Sequence, residues 1–387
     1  MEKRIVIPRI EVRPILPPPL EIGARIRPQW LHWQVGRYRE KLSFGPKGEG
    51  KAKIWVPERE GEQHNLILTQ FYDSLIPQYG FIGSSQYAAV GTGSTAPDPS
   101  QTQLVNEIGT ATNPRRTNSV PTGESNEIEA LATPGEYNIR RVLEFTEAQV
   151  GGLNLTEWGF SPLSSRNGPL MTRELFRDGS GNPVVLTLDT DQRLRLIYRY
   201  KVTVSPTSSQ DVSVNIGGDG PGIRTAKFLL TGMFSTFNID NNYPTVNYFG
   251  IPLSSSDSAY RQRRGDLVVV DALARGGSTG GVGTVGLSSN AAPLTYIHTQ
   301  QTFTTNNLNK GLSYDSPSGR SRQASVLLQT TEHVITIKSV ILNGNLRTDS
   351  QTRTSPTINL VFDDGQEFAK DNLHKLLIAY WQVTWGP

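Results

Sequence analysis

One short pattern occurs twice in this chain, and it restricts the fold more than any other feature. The first copy runs Leu175-Phe176-Arg177-Asp178-Gly179 and closes with Leu196-Ile197-Tyr198-Arg199-Tyr200-Lys201-Val202-Thr203-Val204-Ser205-Pro206. The second runs Val361-Phe362-Asp363-Asp364-Gly365 and closes with Leu377-Ile378-Ala379-Tyr380-Trp381-Gln382-Val383-Thr384-Trp385-Gly386-Pro387. Five of the eleven closing positions are identical. Leu66-Ile67-Leu68-Thr69 and Phe228-Leu229-Leu230-Thr231 match as well, and all matches keep the same order. Thr69 and Thr203 are 134 residues apart, and Thr231 and Thr384 are 153 apart. The 19 extra residues fall mostly in loops before the Asp-Gly turn, where closure entropy grows slowly with length. Shared β composition and common Asp-Gly turns are the bland explanation. A tandem duplication of one β-rich unit explains order, turn and terminal proline together.

A chain of 387 residues exceeds one ordinary core. The repeat divides it into an arm at 1–61, a first unit at 62–206, a linker at 207–223 and a longer second unit at 224–387. Strand-like runs in the first unit are 64–72, 87–90, 141–145, 153–160, 184–188 and 194–204. In the second they are 227–234, 246–249, 267–270, 295–303, 324–328, 333–342, 357–362 and 376–385. Turn signals separate them and no long amphipathic helix is evident. The expected fold is all-β, with two tandem, related β-sandwich (jelly-roll-like) domains preceded by an extended N-terminal arm.

Net charge is +3, yet residues 1–53 hold 12 Lys/Arg against 5 Asp/Glu. A like-charge block at a terminus reads as an interaction arm. Ile5, Ile7, Ile10 and Val12 alternate like a strand, and Pro14, Pro17, Pro18 and Pro19 enforce an extended path. Trp30, Trp33, Tyr38 and Trp55 follow, which is more aromatic than a disordered tail allows. These eight residues are the expected assembly contacts, with Ile5–Val12 as a strand given to a neighbour and the tryptophans as anchors. Deleting 1–40 is then expected to leave a folded body that no longer assembles. Arg25, Arg27, Arg37, Arg39 and Lys41 among the rings also suit nucleic acid, but the prolines and apolar strands favour a protein interface.

The catalytic signals are weak. The chain has no cysteine, which removes thiolate chemistry and zinc-thiolate sites. His32, His64, His298, His333 and His374 show no metal-ligand spacing. Gly91-Thr92-Gly93-Ser94-Thr95-Ala96 lacks a third glycine and a following helix, so it reads as a turn rather than a phosphate cradle. The glycine-rich loop after Arg275 lacks a Gly-Lys-Ser/Thr ending. Asp178-Gly179-Ser180-Gly181-Asn182 spaces oxygens as calcium loops do, but Pro183 and Asp189 stand where glycine and glutamate belong. Asp189 and Asp191 could flank a glycosidic bond, although solvated acids beside a turn are ordinary. No catalytic, cofactor or metal residue is therefore expected, and the chain is read as not an enzyme. No run approaches the ~20 apolar residues of a membrane span, and no signal-peptide core stands at the N-terminus. A soluble chain is expected.

Asn65-Leu66-Ile67-Leu68-Thr69, then Tyr87 to Pro97 with Val90-Gly91-Thr92-Gly93-Ser94-Thr95-Ala96-Pro97, then Thr102-Gln103-Leu104-Val105-Asn106-Glu107-Ile108 together resemble a module of tailed-bacteriophage structural proteins. Leu155-Thr156-Glu157-Trp158-Gly159-Phe160 and Leu194–Val204 stand where the later strands of such modules belong. The likeness covers residues 63–206; the second unit carries Tyr248-Phe249-Gly250-Ile251-Pro252 in place of the Val-Gly-Thr-Gly segment. The resemblance implies a virion role in tail, baseplate or neck, made in the host bacterial cytoplasm, with other virion proteins and copies of itself as partners. It implies no catalytic residues. The alternative is a host-glycan-binding tail module, with Tyr243, Tyr248, Tyr260 and Tyr296 as stacking candidates, or a capsid decoration or fibre-anchoring protein.

Overall fold

The computed structural model describes residues 17–45, 48–232, 265–276, 284–296, 303–304, 306–332, 335–343, 353–354 and 356–387. Strands dominate and helices are few and short, so the all-β expectation holds. The first half contains β1 (Leu20–Gly45), β2 (Gly48–His64), β3 (Tyr87–Gly91), β4 (Glu127–Ala130), β5 (Glu136–Phe145), β6 (Asn154–Leu155), β7 (Glu157–Ser161), β8 (Thr172–Leu175), β9 (Leu186–Thr187) and β10 (Arg193–Ser205). Helix α1 (Ile76–Gly83) follows β2 through a π-type turn at Phe71–Leu75, and α2 (Glu147–Val150) follows β5. Next come β11 (Gln210–Gly218), β12 (Gly222–Leu230), helix α3 (Gly265–Arg275), β13 (Thr284–Ser288), β14 (Phe303–Thr304), β15 (Asn306–Gly311), β16 (Ser313–Tyr314) and β17 (Ser321–Leu328). The chain ends with β18 (Ile335–Ile337), β19 (Ser339–Asn343), β20 (Arg353–Thr354), β21 (Pro356–Phe362), β22 (Phe368–Lys370) and β23 (Leu376–Gly386).

Among the described residues, one hydrogen-bonded sheet runs through both halves in the order β15–β13–β19–β21–β12–β11–β23–β1–β10–β5–β4. β2 pairs with β1, and β17 lies on the other edge of β23. The centre is β1. It runs antiparallel to β10 from Gly23 to Gly36 and parallel to β23 from Leu20 to Arg25. The two repeated closing segments thus flank the same strand: Gly23 lies opposite Ser205 on one side and Thr384 on the other. Their burial alternates in step. Tyr200, Val202 and Val204 are buried in one, and Trp381, Val383 and Trp385 in the other, as a period of two demands.

Three expectations are corrected here. Residues 20–64 are not an arm without a core, because Leu20, Ile22, Ala24, Ile26, Leu31, Trp33 and Val35 are buried in this chain's own core. The 207–223 segment is not a linker, because β11 and β12 carry the sheet across it. The halves are not two separate sandwiches, since one contiguous apolar cluster takes residues from both. Two local expectations change as well. Leu267–Val270 belongs to α3 rather than a strand; the helix is buried on nearly every side, and a short all-apolar run carries no period to reveal it. The 64–72 run ends β2 at His64 and turns into the π-type turn at Phe71. Ile5, Ile7, Ile10 and Val12 lie outside the described residues.

The single core has a measurable consequence. Trp381 is 1% exposed beside Leu20 of β1, and Trp381→Ala should cost about 3–5 kcal/mol. Hydrogen exchange should then speed up in β10 and β21 alike, although they lie in different halves.

Candidate interaction surface

β10 ends opposite Gly36, yet β1 and β2 continue together from Arg37↔Val56 to Gly45↔Gly48. Along these nine pairs, each strand has only the other as strand partner among the described residues, a reach of about 30 Å at ~3.3 Å per residue. A free two-stranded hairpin is marginal in water, so its root must hold it. On one face the Arg37 guanidinium meets Glu58 at 2.9 Å, Asp189 at 3.2 Å and Asp191 at 2.6 Å. Gln192 donates to Glu58 at 2.6 Å and Arg39 pairs with it at 2.9 Å. Those hydrogen bonds, from Gln192 first and then Arg39 and Arg37, pull the Glu58 carboxyl down to about 2. Asp189 and Asp191, the pair considered for glycoside chemistry, therefore hold the ribbon's root.

The opposite face of the root is a stack of rings and guanidiniums. Tyr38 meets Trp55 edge to face at 5.5 Å. Arg193 lies 5.2 Å over Tyr38 and Arg195 lies 4.4 Å over Trp55. Such contacts contribute about 0.5–1 kcal/mol or more each. Glu144 takes a bond of 3.0 Å from Arg193 and one of 2.9 Å from Arg195. Trp30 carries Arg199 at 4.8 Å. The structure thus brings Trp30, Tyr38 and Trp55 into half-buried stacks on this chain's own arginines. Trp33 is different: it is 6% exposed, packs on Phe176 and donates to the Arg177 carbonyl at 3.3 Å. Sequence reasoning paired the rings with arginines of their own segment, but the stacking arginines come from β10, which only the fold brings near.

The Val-Gly-Thr-Gly segment wraps a buried carboxylate. Glu157 is fully buried and accepts from Gly93 N–H at 3.0 Å, Asn106 N–H at 2.8 Å, Val105 N–H at 3.1 Å and the Arg173 guanidinium at 2.9 Å. A Cβ at Gly91 or Gly93 would lie 2.5 Å from Glu157 Oε1, so both positions require glycine. Nearby, Glu107 is clamped by Arg116 at 2.8 Å and by Asn167 N–H at 2.9 Å. In this segment the Gly93 amide is taken by Glu157 and the Thr92 amide by the Asn106 carbonyl at 2.9 Å, bonds that hold the segment within the fold. Glu107, Arg116, Glu157 and Arg173 carried no sequence signal of their own beyond the motif around them.

Helix α3 is held by two buried carboxylates. Asp266 accepts from the Tyr137 hydroxyl and, at 3.0 Å, from the Tyr296 hydroxyl; Tyr296 also accepts from Gly135 N–H at 3.0 Å. Asp271 accepts from Phe81 N–H in α1 at 2.7 Å and pairs with Arg275 at 3.1 Å. Burial pushes both carboxyls up to about 6, with Arg275 opposing at Asp271. The Tyr296 hydroxyl is thus engaged with α3 rather than free to meet a sugar. Tyr243, Tyr248 and Tyr260 lie outside the described residues.

The remaining candidates stay apart. Asp178 accepts from Ser180 N–H and Asn182 N–H, both at 2.9 Å, and so closes its own turn. His32 faces Glu60, His64 faces the Gln29 carbonyl and His374 faces Asp371, on separate elements; His298 and His333 lie outside the described residues. Among the described residues no group of three His, Asp or Glu could hold a metal ion. No described helix is long and apolar enough to cross a membrane. The chain matches no family model, no curated protein and no solved structure.

Two measurements follow from the buried acids. Glu157→Gln removes the charge facing a fully buried Arg173 and should cost about 3–5 kcal/mol by denaturant unfolding. Replacing both partners with apolar residues should cost less than either single change. For Asp266 and Asp271 the folded value lies above the ordinary 3.8. Their protonated forms therefore favour folding: the contribution is complete below about 4 and is lost as pH rises through about 6. Melting temperature should fall from acid to neutral pH across that window, and Asp266→Asn should flatten the slope.

Proposed function

We propose that the chain is a non-enzymatic structural subunit of a tailed-bacteriophage virion, in its tail, baseplate or neck, assembled with other virion proteins and with copies of itself. The observation that carries this reading is the ribbon from Arg37 to Val56, rooted on both faces yet left with open edges. Open strand edges invite pairing with another chain, and proteins otherwise cover or shorten them. A partner that adds a strand supplies main-chain hydrogen bonds along the whole edge. The assembly contact assigned at first to all of 1–61 thus falls to this projection. Two copies of one sequence pattern whose closing strands flank the same strand suit a scaffold role. The phage context rests on the Val-Gly-Thr-Gly resemblance.

The test is to shorten the ribbon while keeping the Arg37, Tyr38 and Trp55 contacts of its root. Replacing Arg39–Ile54 with Asn-Gly would close the Tyr38–Trp55 pair as a tight hairpin. The variant should keep the wild-type circular dichroism, lose the wild-type oligomer in light scattering and fail to enter particles. A shortened chain that still assembles would overturn the reading.

A further inference from the structure

We infer that the ribbon of one copy docks on the turns at the opposite end of a second copy, in a head-to-tail contact. This rests on the assembly reading above and adds the partner. The argument begins with direction. β23 runs parallel to β1, β11 runs antiparallel to β23, β12 to β11, and β21 to β12. β11 and β21 therefore exit toward the end away from the ribbon, and β23 starts there. The turns at that end carry Asp219, Asp363, Asp364, Glu367 and Asp371.

The two ends differ in charge. Residues 37–56 hold six Lys/Arg and two Glu, a net of +4. On the ribbon the Arg39 and Lys51 side chains are 60% and 69% exposed. At the far turns Asp364 is fully exposed, and Lys338 reaches both Asp364 and Glu367. With Arg224, Lys338, Lys370 and Lys375 counted, the five carboxylates leave that end net negative by one charge. Complementary charge steers encounter and fixes register more than it sets affinity, while the open edge of the ribbon supplies main-chain bonds. The two patches lie on different parts of the surface, so the contact is heterologous and builds a ring if the rotation closes, a fibre if it does not.

Charge reversal tests it on the full chain. Lys41→Glu, Lys51→Glu and Lys53→Glu together take residues 37–56 from +4 to −2, and Asp363→Lys with Asp364→Lys makes the far turns basic; all five side chains reach solvent. Each charge-reversed variant should self-associate at least about tenfold more weakly than wild type by light scattering. Raising salt to about 0.5 M should weaken the wild type in the same direction. Mixing the two variants should restore wild-type association, because every ribbon then meets turns of opposite charge. A monomeric wild type, variants with wild-type mass, or a mixture that stays monomeric would each overturn the inference. If the shortened ribbon abolishes particle entry while the charge variants associate normally, the head-to-tail contact falls and the structural-subunit reading stands. If the shortened ribbon leaves assembly intact, both fall.

Discussion

The row of main-chain hydrogen bonds along β1 is what the rest of the sheet depends on. One edge of that strand is occupied by β10; the other is shared end to end by β23 and then β2. Both repeated closing segments therefore bond to a strand that belongs to neither. A central strand presents one side-chain row to the core, and that row, from Leu20 to Val35, packs with residues of both halves. The two halves share one core because β1 pairs with β10 of one and with β23 of the other.

The polar interior works at a finer scale. Arg173 with Glu157 and Arg116 with Glu107 are almost wholly removed from water. Such pairs add little net stability over apolar packing, but breaking one is costly. Here they fix where loops lie: Glu157 gathers three amides from two separate segments. Arg141 plays a related part at α1. It is fully buried and donates to the Ile82 carbonyl at 2.7 Å and to Ser85 at 2.9 Å, where the last turn of a helix favours a cation. Burial lowers its guanidinium to about 10, still charged at neutral pH.

Much of the fold class was legible because strand periodicity is local. The alternation in Leu194–Val204 and Leu376–Trp385 is visible residue by residue and survives in the burial pattern. What failed was non-local. That Leu20 lies beside Trp381 is a parallel pairing, and no turn signal announces a partner so distant in sequence. Pro28 and Pro57 are accommodated within β1 and β2 because each sits at a shift of register, where a missing N–H is tolerated. The candidate surface was half legible. The basic and aromatic composition of the N-terminal region pointed to a contact device, but the rings at its root are stacked on arginines from β10, and Trp33 faces inward. The buried acids Glu107, Glu157, Asp266 and Asp271 look like any surface carboxylate in a linear sequence, since burial is a property of the fold.

The place of β23 beside β1 bears on how the protein is made. A ribosome delivers Leu20 361 residues before Trp381, so the Leu20–Arg25 stretch of one edge of β1 has no partner until β23 is made, although β2 covers that edge from Trp30 onward. Contacts this distant in sequence close slowly, and a chain released before β23 emerges would keep that edge bare. Such fragments would be sticky and open to proteases, whereas finished chains would seal themselves. Closure of β1 along Leu20–Arg25 thus waits on a strand that lies 361 residues further on, from Leu20 to Trp381.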